Sequence, residues 1–329
     1  FYDWQENSGQ LPLLAYISDG FPHKEDNKKS LVKAKIRALR NFAYFDWDEE
    51  EGCTNEWILR LENNLFRQAA LLANGVVKNE QGIMAHAQLQ EEDEPEFQEL
   101  SHEQQCISEC FSTFTSNSVF DSENAIKFNA FTLGRTKQNE GKLCIQTAQG
   151  EEYDFRKLPA GYKRLFNIVL DLAYRSYILS ERSTANNHGL VIIDEIDLHL
   201  HPALEQVVLQ CFQETFPNIQ FIVSTHSPLV LTGVETEGKP NVILHMASGN
   251  TKPEVTHDIY GIDYNTGIED VMGVGSKNVE LDYMVNLCAY MQKRGKQAQA
   301  ENIMKRILDK FAKNRNEVEK MVEAKEKEL

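Results

Sequence analysis

The chain has 329 residues, 41% of them hydrophobic, and a formal net charge of −16 at neutral pH. That length holds one large domain or two modest ones, and the apolar share is ordinary for a globular protein with a substantial core. So acidic a chain does not grip nucleic acid over its whole surface, because phosphate contacts need Lys and Arg; one local basic stripe is still compatible with it.

Leu11 to Ile17 is an apolar run closed by Ser18-Asp19-Gly20 and reads as a core strand. Asn27 to Arg40 is basic and polar, a loop or a short exposed helix. Thr54 to Asn74 carries Trp57, Ile58, Leu61, Leu65, Ala69 and Leu72 at steps of three and four, which predicts an amphipathic helix. The acidic run Glu91 to Glu99 predicts a solvated turn or helix start, and Glu103 to Phe114 a second helix. Ile126 to Leu133 and Lys142 to Thr147 read as strands separated by a polar turn. Leu158 to Leu179 predicts a long helix opened by Gly161, with Leu165, Ile168, Val169, Leu172 and Ala173 on one face.

Val191-Ile192-Ile193 and Phe221-Ile222-Val223 are apolar runs without alternation. Both are expected as strands of a parallel sheet, buried on both faces. Between them a helix is expected from about Ala203 to Thr215, with Pro202 in its first turn and Pro217-Asn218 ending it. Strand, helix, strand makes a βαβ unit. Asn241 to Met246 is a last short strand. After Gly273 the chain reads as wholly helical. Leu281, Met284, Val285 and Cys288 form one face; Ile303, Ile307, Leu308, Phe311, Val318, Met321 and Val322 form another, with the turn at Arg294-Gly295. Stripes on so charged a segment are expected to be buried against the rest of the protein or another chain, as an assembly or docking surface.

Cys53, Cys106, Cys110, Cys144, Cys211 and Cys288 are scattered. That argues for a reducing, cytoplasmic setting rather than a disulfide framework. No run of about eighteen apolar residues exists, so no membrane span is expected. No secretory signal is visible.

Polar, chemically able residues close the two apolar runs: Asp194-Glu195 after the first, Ser224-Thr225-His226-Ser227-Pro228 after the second. Ligands of parallel sheets sit beyond the carboxyl ends of the strands. A carboxylate that can hold Mg²⁺, a second that can orient water and a histidine that can reach a terminal phosphate make a phosphoryl-transfer site. His199 and His201 have His-x-His spacing, but no Cys or further His falls at ligand spacing nearby, so a metal is the weaker reading. His102, Cys106 and Cys110 lie at four-residue steps on a predicted helix. Three such positions span too much helix for one small ion and read as a partly buried stripe. Phe42, Tyr44, Phe45 and Trp47 read as core rather than as a base-stacking platform.

In this order the segments resemble the ABC-type ATPase heads of the RecF and SMC group, and within it the prokaryotic ATPases of restriction and phage-defence systems. Leu158-Pro159-Ala160-Gly161-Tyr162-Lys163 looks like the family's signature segment, and Ile192-Ile193-Asp194-Glu195 like its Walker B. Leu198-His199-Leu200-His201-Pro202 is similar to its D-loop, and Ser224-Thr225-His226-Ser227-Pro228 to its switch histidine. The matched core runs from about Leu158 to Thr232.

The resemblance implies an α/β fold: an ABC-type P-loop ATPase head with an inserted helical lobe and a helical C-terminal extension. Residues 1–50 would complete the nucleotide-binding lobe, 51–157 form the inserted lobe with a β-hairpin, 158–250 the ATPase core and 251–329 the extension. It implies ATP and Mg²⁺ as cofactors. Asp194 would hold Mg²⁺, directly or through water. Glu195 would polarise the attacking water, and His226 would sense the γ-phosphate. In this family two heads sandwich two ATP molecules. Pro159, Ala160, Gly161, Tyr162 and Lys163 would therefore meet ATP in trans, at a helix N-terminus that favours anions, with Lys163 and Arg164 adding charge. His201 would lie at the same seam. The family usually has Ser or a close polar equivalent where Pro159 stands. Proline offers neither a hydroxyl nor an N–H, so slow hydrolysis is expected.

No G-x-x-x-x-G-K-[ST] loop is present, and Gly273-Val274-Gly275-Ser276-Lys277 has the wrong spacing for one. Position 1 is Phe, so the Walker A part is expected upstream of it, and the chain from Phe1 onward is not expected to bind ATP usefully alone. Relatives with a fused nuclease carry a Toprim domain after the switch histidine. No such pattern follows Thr232, nor an HNH-like set of His and Asn. The layout looks most like the PtuA-type ATPases of Septu systems and some retrons, which act with an HNH nuclease. The expectation is a cytoplasmic ATPase subunit of an antiviral complex, a two-fold dimer or larger, controlling a separate HNH-type nuclease. Nucleic acid (DNA, or retron msDNA/RNA) would be reached through the complex. Two rivals stand beside it. A RecF-like repair ATPase would show a basic dimer surface and bind DNA tightly alone. A non-hydrolysing, nucleotide-stabilised scaffold restraining a toxin or nuclease would bind ATP with almost no turnover.

Overall fold

A computed structural model of the chain describes residues 11–20, 43–44, 47, 54–74, 89–134, 141–180, 184, 187–236, 238, 240–246, 253–256, 259–261, 279–311 and 315–328. The expected basic segment Asn27 to Arg40, Phe42, Phe45, Cys53 and the segment Gly273 to Lys277 lie outside them. The chain divides into two compact units, Phe1–Asn241 and Val242–Leu329.

In the first unit the order is β1 (Leu13–Ile17), α1 (Thr54–Asn74), α2 (Glu94–Phe114), β2 (Phe128–Leu133), β3 (Leu143–Thr147), β4 (Glu152–Asp154), α3 (Ala160–Leu179), β5 (Gly189–Ile193), α4 (Pro202–Glu205), α5 (Val208–Thr215), β6 (Ile219–Val223) and α6 (Pro228–Thr232). Helix α1 keeps the bounds its periodicity predicts. Helix α2 starts nine residues before the predicted Glu103, inside the acidic run. Pro95 in its first turn and Glu94 and Glu96 beside it suit a helix start, where the missing N–H is harmless and negative charge meets the positive dipole end. Strands β2, β3 and β4 form an antiparallel sheet. Phe128 and Phe131 pack it onto Phe111 of α2, with ring centroids 5.2 and 4.9 Å away.

Helix α3 is buried nearly all round, not along the one predicted stripe. Two of its charged residues are tied to other elements. Asp171 accepts from Trp57 Nε1 at 2.8 Å and from Arg175 Nε at 2.6 Å, and Arg175 Nη1 donates to the Ala43 carbonyl at 2.6 Å. The Trp57 ring stacks on Tyr174 at 5.1 Å. A helix with this much polar surface can be internal because its charged groups find partners, although Asn167 Oδ1 and Ser176 Oγ are buried without a hydrogen bond.

Strands β1, β5 and β6 form the parallel sheet, in that order, with Ile17 opposite Ile193 and Ile193 opposite Val223. The expectation of burial on both faces is corrected here. Val191 and Ile193 are fully buried, with Leu13, Ala15 and Ile17 on the same face. Ile192 and Ile222, on the opposite face, are 37% and 49% exposed. An unalternating apolar run cannot reveal which face is covered, since neighbouring side chains point to opposite sides. The predicted helix from Ala203 to Thr215 is two pieces, α4 and α5, interrupted at Gln206 and Val207. The Gln206 carbonyl there lies against Gly233, where a Cβ would stand 2.0 Å from it. Tyr44 is half-buried and donates to the Pro12 carbonyl at 2.5 Å, whereas Trp47, expected in the core, is 38% exposed.

The second unit holds a two-stranded hairpin, β7 (Ile243–His245) with β8 (Glu254–Thr256), and three helices, α7 (Val279–Lys293), α8 (Gln297–Lys310) and α9 (Arg315–Glu328). Gly295, at φ 70°, makes the predicted turn between α7 and α8. The two apolar stripes close on one another: Met284, Val285, Cys288 and Ala289 of α7 share one cluster with Ala300, Met304 and Ile307 of α8 and Val318 and Val322 of α9. The expected burial against the rest of the protein or another chain is therefore corrected. Three short helices bury their stripes mutually. Among the described residues no helix is long and apolar enough to cross a membrane.

Candidate functional site

Where the ladders of β5 and β6 end, the chain makes a tightly held corner. The Asp194 N–H donates to the Ile17 carbonyl at 2.8 Å, the Ser224 N–H to the Ile193 carbonyl at 3.0 Å, and the Ile196 N–H to the Ser224 carbonyl at 3.1 Å. Glu195 sits at φ 48° and His199 at φ 64°, both in the left-handed region. Such a conformation costs a non-glycine residue about 1–2 kcal/mol and persists only where the surroundings impose it.

Hydroxyls following β6 supply much of that imposition. Ser224 Oγ donates to Asp194 Oδ1 and accepts from the Glu195 N–H at 2.9 Å. Thr225 Oγ1 donates to Asp197, and Ser227 Oγ to Glu205. His226 is left facing solvent, its side chain 83% exposed, with Nε2 3.9 Å from Glu195 Oε1. Asp194, Glu195 and His226 are thus brought together at the carboxyl edge, as the sequence motifs predict. The Ser–Asp and Thr–Asp pairs were not foreseen, although their signal was present: a hydroxyl or histidine at each position from 224 to 227.

The first turn of α3 reaches the same corner. Pro159 is its N-cap, with no side-chain hydrogen bond, and Pro159 and Ala160 are exposed. Lys163 is half-exposed. The Tyr162 hydroxyl accepts from the Ile126 N–H at 3.1 Å, and burial raises its phenol above the usual range. Gly161 lies within the helix, against the backbone at His199, where a Cβ would stand 2.5 Å from the His199 carbonyl oxygen. Gly161→Ala is expected to lower stability by about 1–3 kcal/mol through this clash. A denaturation midpoint equal to wild type would show that the backbone at His199 can yield. His201 caps α4, its Nδ1 accepting from the Ala203 N–H at 3.2 Å.

Arg164 departs from expectation. It does not present charge to an anion: it is 1% exposed and turned inward. Its Nη1 donates to the carbonyls of Ser18 and Asp19 at 3.2 and 3.1 Å, and its Nη2 to those of Asp194 and Glu195 at 2.7 and 3.4 Å. Burial pulls the guanidinium below its usual range, opposed by the carboxylates of Asp19, Glu195, Asp194 and Asp197.

The donor set at Asp194 fits Mg²⁺. One half-exposed carboxylate with hydroxyl neighbours is a hard-oxygen site, and Mg²⁺ takes few protein carboxylates while keeping water and phosphate oxygens. Among the described residues no group of three or more His, Cys, Asp or Glu is placed to hold a metal. In the His102, Cys106, Cys110 stripe both cysteines are buried, and burial pushes the Cys110 thiol up to about 12.

The AAA ATPase domain family matches residues 23–231 of this chain. The chain is 31% identical over 259 residues to the retron Vc95 probable ATPase of Vibrio cholerae serotype O1 biovar El Tor, covering 70% of this chain and 47% of that protein. It is 27% identical over 161 residues to the Septu protein PtuA of Bacillus thuringiensis, covering 43% and 39%. The chain thus spans about half the length of the first relative and less of the second. Among solved structures, an Smc head bound to the C-winged helix domain of ScpA matches with a TM-score of 0.33 and 16% identity, over 68% of this chain and 56% of that one.

Proposed function

Since the chain belongs to the AAA ATPase domain family, we propose that it binds ATP with Mg²⁺ between two copies and hydrolyses it slowly, as the ATPase subunit of a defence complex of the retron or Septu kind. The observation that carries this is the meeting of Glu195 and His226, 3.9 Å apart, beside Asp194 at the carboxyl edge of two parallel strands. The names of the relatives, a retron ATPase and a Septu PtuA, supply the biological setting.

Mg²⁺ bound there would neutralise charge on the phosphate oxygens. Asp194 would hold it with the carboxylate oxygen that Ser224 does not engage. Glu195, half-exposed, would take the proton of the attacking water. His226 would swing from Glu195 to the γ-phosphate. Pro159, Ala160, Gly161 and Lys163 would face the ATP of the second copy, and Tyr162 would contribute through its backbone, since its hydroxyl is engaged by Ile126. His201 would stand at the seam between copies. The nucleotide-set dimer would control a separate HNH-type nuclease in the cytoplasm, with nucleic acid reached through the complex. The net charge of −16 speaks against the RecF-like reading, which needs a broadly basic face.

The test uses the full-length protein. ATP affinity, phosphate release and mass are measured for wild type and Asp194→Ala. Wild type should bind ATP, release phosphate slowly and gain mass as a dimer. Asp194→Ala should bind ATP roughly tenfold more weakly or worse. No ATP binding by wild type would sink the proposal, and binding with no turnover would favour the scaffold.

A further inference from the structure

We infer that Arg164 is a positioning residue for Glu195: its buried fork fixes the peptide that aims the catalytic carboxylate, and so ties the signature helix to the chemistry of its own head. The inference rests on the proposed ATPase reading of Glu195.

Asp194 C=O and Glu195 N–H belong to one peptide plane. Arg164 Nη2 holds its carbonyl at 2.7 Å, and Ser224 Oγ holds its N–H at 2.9 Å. A plane pinned on both sides cannot flip, and a flip is the ready route by which a left-handed residue relaxes. Glu195 at φ 48° needs such pinning. The next carbonyl, that of Glu195 itself, also lies 3.4 Å from Arg164 Nη2.

The other arm of the fork donates to Ser18 and Asp19 at the end of β1. One rigid planar group thus spans the ends of two adjacent strands, a task a single ammonium cannot perform. The sheet does not need this staple for pairing, since β1 and β5 already run a full parallel ladder from Leu13–Gly189 to Ile17–Ile193. What the fork adds lies beyond the ladder, at the residues that do the chemistry. Arg164 is also on the first turns of α3, whose Gly161 abuts the His199 carbonyl. Displacement of that helix by nucleotide in trans would therefore be felt at Glu195 in the same chain.

The experiment compares full-length wild type, Arg164→Met and Arg164→Lys. ATP affinity, the fraction of sites that bind ATP, and kcat per binding site are measured. Counting per site removes misfolded molecules from the comparison. Arg164→Met is expected to keep ATP affinity within about threefold and to lose between roughly tenfold and a hundredfold in kcat per site, the scale of a displaced catalytic group. Arg164→Lys keeps the charge but reaches one strand end, and should lose kcat likewise; it carries the test should the Met variant fail to fold. A kcat per site within about twofold of wild type in either folded variant would overturn the inference. So would a parallel loss of affinity and kcat, which would place Arg164 in binding. A wild type that binds ATP without turnover fails earlier, on the ATPase reading itself, and would overturn both.

Discussion

Glu195→Gln is expected to bind ATP as wild type does and to release phosphate about a hundredfold or more slowly, within the range assigned to general-base loss. The substitution keeps shape and hydrogen-bond reach and removes only the charge. The contacts that hold position 195 are made by its backbone, to Ser224 Oγ and to Arg164, so the left-handed corner should survive. His226→Ala should also spare binding and lower turnover, because its exposed ring stands beside Glu195 and ties no element together. Pro159 gives the trans contact no hydroxyl, so wild-type turnover should already be slow. The clearest readout is then assembly: with ATP and Mg²⁺, Glu195→Gln should accumulate as a dimer by mass. Phosphate release by Glu195→Gln at the wild-type rate, where wild type turns over measurably, would remove Glu195 from the role of base.

Arg175→Met should be the most destabilising single change described. Asp171 and Arg175 are each 1% exposed at the side chain, and the pair is completed by Trp57 Nε1 and the Ala43 carbonyl. Removing the guanidinium leaves a buried carboxylate with its charge uncompensated beside the Trp57 Nε1 donor. Breaking a buried pair in this way costs about 3–5 kcal/mol. The double variant Asp171→Leu with Arg175→Met should recover part of the loss, since it removes the stranded charge yet leaves Trp57 and Ala43 without their partners. Denaturant unfolding of the three proteins decides it. A loss below about 1 kcal/mol for Arg175→Met would mean that the surroundings rehydrate or reorganise at no great cost.

The same residues show what the sequence makes legible. Helix α1 and strands β5 and β6 can be read directly, because hydrophobic spacing and abrupt polar ends are local signals. The placement of the candidate site is legible for the same reason: Asp194-Glu195 and Ser224-Thr225-His226 each follow directly on an apolar run. Arg164, Asp171 and Arg175 are not. On a helical wheel they look like a solvent face, and only the tertiary packing of α1 and the strand ends makes them internal. Their partners Trp57, Ala43 and Ser18 lie more than a hundred positions away in the chain. Strand β4 has three residues, too few to carry a period. The exposure of Ile192 and Ile222 was hidden because an apolar side chain does not reveal whether anything covers it. The C-terminal stripes were read correctly as faces. Their mutual closure depends on how the helices pack on one another, which spacing does not encode.

Helix α3 has one further consequence, for how such a protein can diverge. Sixteen of its twenty residues are internal; Ala160, Tyr162, Lys163 and, near its far end, Ile178 are not. Mutational drift along the rest of the helix is checked by volume and by buried polar partners, so neutral change has few places to accumulate. The permissive positions are Pro159, Ala160 and Lys163, in the stretch that would confront a second copy; Gly161 among them is held by the His199 carbonyl. Lineages of this head could therefore retune pairing and turnover there, one substitution at a time, without disturbing the interior.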